Sequence, residues 1–152
     1  MAHPCERRLQ KELQVLRARP KEEGIVVQDV AWNSGHVWFI TIAGAADTLY
    51  SEETFTLRFS FSAGYPMESP EVVFIGHPPV HPHVYSNGHI CLSILYDHWS
   101  PALTVHSVCI SILSMLSSCK EKARPPDDAD YVTKVGQRSP KLSKWQYDDD
   151  SV

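Results

Sequence analysis

The 152-residue chain lacks long apolar runs, a strong excess of one charge and closely spaced cysteines. No apolar stretch approaches the ~20 residues of a membrane-spanning helix, and the first ten residues lack the apolar core of a signal peptide. We therefore expect a soluble intracellular protein of the nucleus or cytoplasm, with no membrane partner. A net charge of −4 gives no electrostatic support to nucleic-acid binding.

The four cysteines, at positions 5, 91, 109 and 119, do not form the close pairs of structural zinc sites or disulfide-rich domains. Without a secretory signal we expect them to stay reduced, which leaves thiol chemistry open. Internal repeats are also absent. A hydrophobic fraction of 43% is enough to fill one core, so the sequence predicts a single compact domain.

Periodicity predicts an α+β fold. Leu9, Leu13 and Leu16 form one stripe at helical spacing within residues 5 to 18, which indicates an amphipathic helix that ends before Pro20. Alternating or β-branched runs then predict four strands of an antiparallel meander, at 25–30, 36–42, 53–61 and 71–75. Residues 33–35 are predicted to form the first turn.

After Ile75 the pattern is irregular for nearly thirty residues, which is typical of a functional segment. Thr104 is a predicted N-cap of the main core helix, whose apolar face is expected to continue to Cys119. We expect residues 1–119 to form the core. Residues 120–152 are expected to be an atypical, partly mobile C-terminal region of the same domain, with a short helix after Asp127.

The irregular segment holds His81, His83, His89 and Cys91 within HPHVYSNGHICLSILYDHWSPAL. H-x-H followed by H-x-C offers ligands for zinc or copper, although the spacing matches none of the usual pairings, and Pro82 restricts His81 to extended geometry. A metal-binding module stays open as an alternative that predicts stoichiometric zinc. For His81 we favour a structural role, with the imidazole bonded to backbone carbonyls.

Cys91 is either a buried inert thiol or a nucleophile. Cys109 and Cys119 fit the first description, because they share a helix face with Ile112 and Leu116. Cys91 instead follows the Asn87-Gly88 turn, where a thiol can be exposed. No general base can be assigned to it from the residues alone, so the pattern indicates only a candidate thiol nucleophile on a loop before a helix.

This segment resembles the active-site segment of ubiquitin-conjugating enzymes, whose usual form is H-P-N, then N-G-x-I-C-L-x-I-L, then W-S-P-A. The matching positions are His81, Pro82, Asn87, Gly88, Ile90, Cys91, Leu92, Ile94, Leu95, Trp99, Ser100, Pro101 and Ala102. The resemblance extends through nearly the whole chain. It implies the ubiquitin-conjugating (UBC) fold: an N-terminal helix, a four-stranded antiparallel meander, an active-site loop and C-terminal helices.

The resemblance also implies the chemistry. Cys91 would accept the C-terminus of ubiquitin as a thioester from a ubiquitin-activating enzyme and pass it to an amine, with no cofactor, because ATP is used by the activating enzyme. The family's Asn of H-P-N, a proposed oxyanion donor, is replaced by His83. The predicted catalytic residues are therefore Cys91, His83 and Asn87, with His81, Pro82 and Ser93 as neighbours.

Two differences from the family pattern concern the amine that accepts ubiquitin. Ser93 and, by an ungapped match, Lys122 stand where the family often has acids that help to receive a lysine. About a thousandth of a lysine of pKa ~10.4 is neutral at pH 7.4, against about a quarter of an α-amine of pKa ~7.7–8.0. A site without these acids therefore favours α-amines.

The H-P-H variant, Ser93, the segment SSCKEKARPPDD and the late Lys-Trp pair resemble the W-type branch of the family. That resemblance implies attachment of a single ubiquitin to flexible substrate N-termini. Lysine-directed conjugation, with an acid from Asp127 or Asp128, stays open. So does a non-catalytic ubiquitin-binding scaffold, although such variants typically lack the cysteine.

Partner surfaces are implied by the same resemblance. Ligases of the RING or U-box type would dock on the first helix, on the loop after Tyr-Pro and on the S-P-A loop, and the activating enzyme would use the same helix. The corresponding positions are Arg7, Arg8, Lys11, Met67, Ser100, Pro101 and Ala102. Trp145 is the predicted substrate-handling residue of the tail.

Overall fold

The structure, a computed structural model, describes residues 4–31 and 36–145. The predicted α+β order of one helix, four strands and further helices is confirmed. The elements are α1 (Pro4–Ala18), β1 (Ile25–Ala31), β2 (Val37–Ala43), β3 (Thr54–Ser60), β4 (Glu71–Ile75), α2 (Val105–Ser117) and α3 (Asp128–Val135). The turn predicted at 33–35 lies outside the described residues.

The four strands form one antiparallel sheet in the order β1-β2-β3-β4. Every second side chain of a strand points into the core, so Phe55, Leu57 and Phe59 of β3 are all buried. The register pairs Leu57 with Phe74, so the buried side chains of neighbouring strands lie side by side. The sheet thus has one apolar face and one outer face that carries more polar residues.

Helix α2 packs on the apolar face of the sheet. Thr104 begins it as predicted, in a capping box in which the Thr104 side chain accepts from the Ser107 backbone N–H. Cys109 is fully buried, as expected. Cys119 differs, because α2 ends at Ser117: it is half-buried beyond the helix, and its thiol donates to the carbonyl of Glu121 at 3.2 Å.

A buried carboxylate ties three segments together. Glu12 of α1 accepts hydrogen bonds from the Val105 backbone N–H at 2.8 Å and from the Tyr65 hydroxyl at 2.7 Å. Arg8, one turn earlier, donates to the same carboxylate at 2.7 Å. Burial, together with Glu12, raises the pKa of Tyr65 well above its usual value. The positions of α1, α2 and the Tyr65 loop therefore depend on one side chain.

The chain after α2 returns to the core. Pro140 is buried, and Lys141 donates to the carbonyl of Ser69 just before β4 at 2.7 Å. No helix in the described ranges is long and apolar enough to cross a membrane.

Candidate active site

The active-site loop is anchored to β4 immediately before Cys91. The Phe74 backbone N–H donates to the Gly88 carbonyl, and the Gly88 N–H donates to the Tyr85 carbonyl, both at 2.9 Å. Gly88 has a φ of +92°, and a Cβ there would lie 2.1 Å from the Phe74 carbonyl oxygen. Only glycine fits this close approach, which gives the Asn-Gly turn a physical reason.

Cys91 lies at the end of this turn with its backbone fixed. Its N–H donates to the His83 carbonyl at 2.8 Å, so the residue at the family's Asn position is bonded directly to the cysteine's backbone. The sequence suggested an exposed thiol, but only 8% of Cys91 is exposed. Cys91 is therefore largely enclosed by the surrounding residues.

His81 supports His83. The His83 backbone N–H donates to Nδ1 of His81 at 2.9 Å, which makes Nδ1 an acceptor and leaves the proton on Nε2, facing the Met115 carbonyl at 3.1 Å. Burial lowers the pKa of His81 to about 4, so the ring is neutral at physiological pH. Both nitrogens are used inside the fold, which agrees with the structural role favoured for His81.

The same bonds argue against the metal alternative. A ring whose two nitrogens are both hydrogen-bonded has no lone pair to offer an ion. Within residues 4–31 and 36–145, no three His, Cys, Asp or Glu side chains are grouped as ligands.

Asn87, predicted to be catalytic, has a structural position in this geometry. Its Nδ2 donates to the Gly136 carbonyl at 2.8 Å, and its Oδ1 accepts from the His89 backbone N–H at 3.2 Å. Both ends of the amide are engaged, so Asn87 joins the loop to the end of α3. Of the predicted neighbours, Ser93 is buried and Pro82 is exposed.

An acid does reach the active-site loop, although not at the position that the ungapped match indicated. The Tyr85 hydroxyl contacts both carboxylate oxygens of Asp127, at 2.9 and 3.2 Å, and the Ser86 N–H donates to Asp128 at 2.8 Å. Lys122 instead pairs with Glu53 at 2.7 Å. The carboxylates of Asp127 and Asp128 therefore both contact the active-site loop, and the lysine-directed alternative that drew an acid from one of them stays open.

Cys91 and Asp127 share an electrostatic environment. Burial, followed by Asp127 and then by the charge of Cys91, raises the pKa of Tyr85. Burial and Cys91 likewise raise the pKa of Tyr131. A negative charge on Cys91 therefore disfavours ionisation of both tyrosines.

An aromatic cluster, defined as Tyr85, Tyr96, Tyr131 and Trp145, covers this side of the loop. Tyr131 stacks on Tyr85 with ring centres 3.9 Å apart, and Trp145 stacks on Tyr96 at 4.9 Å. The Tyr96 hydroxyl donates to the Ile90 carbonyl, next to Cys91, at 2.7 Å. Trp145, chosen from the sequence as a tail residue, thus stacks on a tyrosine that bonds to the backbone next to Cys91.

The predicted docking residues are mostly exposed. Met67 is 75% exposed, and Arg7 and Lys11 are exposed on α1. Arg8 has a different position, because its Nη2 donates to the carbonyls of Pro101 at 2.9 Å and Leu103 at 3.0 Å. Arg8 therefore holds the S-P-A loop in place, and this was not apparent from the sequence.

Comparisons with known proteins agree on one family. Residues 8–146 match the family model described as ubiquitin-conjugating enzyme. The chain is 55% identical over 146 residues to the "Probable ubiquitin-conjugating enzyme E2 W" of Dictyostelium discoideum, covering 96% of each chain. It is 51% identical to the "Ubiquitin-conjugating enzyme E2 W" of Caenorhabditis elegans, with both chains covered in full.

Solved structures agree as well. The crystal structure of the ubiquitin-conjugating enzyme E2 UbcA1 from Agrocybe aegerita is similar with a TM-score of 0.84 and 43% identity, covering 92% of this chain and 100% of that one. The chain thus belongs to the ubiquitin-conjugating enzyme family, the E2 enzymes that act through a thioester intermediate and work with ubiquitin, an activating enzyme and ligases.

Proposed function

We propose that this enzyme carries ubiquitin on Cys91 and adds a single ubiquitin to the N-terminal α-amino group of polypeptides. The Cys91 thiolate attacks the thioester carbonyl of ubiquitin on the activating enzyme, whose own thiolate leaves. The acceptor amine then attacks the new thioester, the C–S bond breaks, Cys91 leaves as thiolate, and the nitrogen gives up one proton to form the amide.

The hydrogen-bond chain from His81 through His83 to Cys91 is the observation that carries this proposal. It fixes the residue at the family's Asn position beside the cysteine, with its side chain half-buried. A thioester needs little activation toward an amine, so orientation and stabilisation of the oxyanion are the main contributions left to the protein. An imidazole N–H of His83 can donate to that oxyanion.

Preference for the α-amine is supported by the amine's own chemistry. About a quarter of an α-amine is neutral at pH 7.4, so it needs no carboxylate to remove a proton. A lysine does need one, because almost all of it is protonated at this pH. Ser93 supplies no carboxylate two residues after Cys91. The resemblance to the W-type branch, together with relatives named E2 W, points the same way.

Lysine transfer is a second candidate, and Asp127 favours it. Its carboxylate faces the Tyr85 hydroxyl in the active-site loop, where it could orient and deprotonate an incoming ammonium group. The two candidates differ in what they require of Asp127, since only the lysine reaction depends on a carboxylate to generate the nucleophile.

Two peptides offered to the preformed ubiquitin thioester distinguish the candidates. One has a free N-terminus and no lysine; the other is N-acetylated with one lysine. We expect discharge to the first to be at least about tenfold faster, and Asp127→Asn to leave it within about twofold. Discharge to the acetylated peptide alone, lost in Asp127→Asn, would establish lysine transfer instead.

We further propose docking of RING or U-box ligases on the surface that contains Met67 and the S-P-A loop, and substrates with flexible N-termini. Action in the nucleus or cytoplasm, without a cofactor, stays a prediction.

A further inference from the structure

A polar cleft lies beside the active-site loop, between the outer face of the sheet and the segment that follows α3. It has a volume of about 290 Å³. We call it the arginine cleft, lined by Arg58, Glu71, Val73, His89, Gln137 and Arg138. It does not overlap the predicted ligase surface around Met67.

The cleft carries two cationic groups against one carboxylate. Arg58 approaches Glu71 no closer than 3.6 Å, beyond hydrogen-bond distance, and its side chain is 40% exposed. Arg138 contacts the carbonyls of Val135 and Lys134 through two nitrogens, but a guanidinium has five N–H donors. Both arginines therefore keep donors for an acceptor that enters the cleft.

His89 offers a further donor from the wall of the cleft. Only 3% of the residue is exposed, and Nδ1 is bonded to the Tyr131 hydroxyl at 2.8 Å. Among the described residues, Nε2 has no hydrogen-bond partner. This nitrogen is not fully enclosed, so it remains open to an acceptor that enters the cleft.

The cleft is within reach of the reacting amine. His89 precedes Cys91 by two residues, which places its Cα within about 7 Å of that of Cys91. An extended acceptor chain advances about 3.3–3.6 Å per residue. A side chain about two to four residues from the amine can therefore enter the cleft while the amine reaches the thioester.

We propose that the arginine cleft binds a carboxylate side chain of the acceptor polypeptide, close in sequence to the amine that receives ubiquitin. The two arginines and His89 all donate to the carboxylate, while Glu71 disfavours a second acidic group. This inference rests on Cys91 as the ubiquitin carrier, but it holds for either kind of amine. It makes the enzyme selective for acidic residues near the acceptor site.

The test compares two lysine-free peptides with free N-termini that differ only in Asp or Asn at the third residue. Charged enzyme is mixed with increasing peptide, and the rate of ubiquitin discharge is followed. At low salt we expect the Asp peptide to reach half-maximal rate at about a fivefold to tenfold lower concentration, with similar maximal rates. Arg58→Gln with Arg138→Gln should remove the difference, and Arg19→Gln, on an exposed ion pair elsewhere, should keep it.

A charge reversal adds a gain of function to this test. Arg138→Glu should prefer a peptide with Arg, which is not a nucleophile, at the third residue. Every rate is compared with discharge to glycinamide, which has no side chain to bind the cleft. Normal glycinamide discharge separates loss of the subsite from loss of carrier function, whereas a wild-type enzyme that forms no thioester on Cys91 would contradict the proposed function itself.

Equal half-saturation of wild-type enzyme by the Asp and Asn peptides, with glycinamide discharge intact, would overturn the inference. So would an Asp preference that survives in the double arginine variant. A third outcome concerns Asp148, Asp149 and Asp150 of the chain itself. If a preference appears only after these three are replaced by Asn, the enzyme's own acidic residues occupy the cleft, and the proposal is wrong.

Discussion

At the residue scale, the functional question centres on His83. Its backbone is held on both sides, by the His81 ring and by the Cys91 N–H, so substitution of its side chain need not move the loop. This makes the imidazole a clean target for testing oxyanion stabilisation.

If the His83 ring donates to the oxyanion, His83→Asn should keep thioester discharge within about threefold. His83→Ala should slow it by about 100-fold, the usual cost of one lost donor. Single-turnover discharge rates measure both, and thioester formation serves as the control for folding. Equal rates in all three enzymes would exclude this role for the side chain.

His81 makes stability depend on pH. Its pKa is about 4 in the folded protein, because of burial, and about 6.5 when unfolded, so the unfolded chain binds more protons between these values. Stability is therefore lost as pH falls through this window. We expect the free energy of unfolding to be about 2 kcal/mol lower at pH 5 than at pH 7 from this group.

Urea unfolding of wild-type and His81→Gln protein at both pH values measures this effect. Burial also lowers the pKa of His89, so this residue likewise reduces stability as pH falls. The free energy of unfolding of the His81→Gln protein should therefore depend less on pH than that of wild type, but still depend on it. An identical pH dependence in wild type and variant would refute the assignment to His81.

At the element scale, Glu12 determines how α1, α2 and the Tyr65 loop are arranged. Its carboxylate accepts from all three neighbours, and Arg8 extends the connection to the S-P-A loop. The predicted ligase surface is formed by these same elements, so its shape depends on a buried group.

Glu12→Gln should lower the free energy of unfolding by about 1–3 kcal/mol, because the amide cannot accept from all three donors. Glu22→Gln, at an exposed position next to β1, is the control and should change stability by less than about 0.5 kcal/mol. Denaturant unfolding at pH 7 compares the two. A Glu12→Gln protein as stable as the control would contradict the claim that the Glu12 carboxylate joins these three segments.

Local patterns predicted the elements well, because the information lies in neighbouring residues. Phe55, Leu57 and Phe59 reveal β3 by alternation, and Thr104 marks the start of α2. The contacts of the active site were harder to predict. Asp127 meets Tyr85 across 42 residues, and no periodicity reports such a contact. The motif located Cys91 but not its burial, which depends on how the fold packs around it.

At the scale of the whole molecule, the C-terminal segment and the active-site loop form one unit. Asn87 bonds to the end of α3, Tyr131 stacks on Tyr85, and Trp145 stacks on Tyr96. The arginine cleft lies along this junction, between Asn87 and His89 of the loop and Gln137 after α3. Acceptor selection is therefore expected to depend on residues far from Cys91 in sequence.

The most direct measurement of the central claim is the mass of the enzyme after incubation with ubiquitin, activating enzyme and ATP. Wild-type protein should gain one ubiquitin that thiol reductant removes, because the bond is a thioester. Cys91→Ser should gain one ubiquitin that resists reductant, as an oxyester, while Cys119→Ser should behave as wild type. A reductant-sensitive adduct that persists in Cys91→Ser would contradict the account.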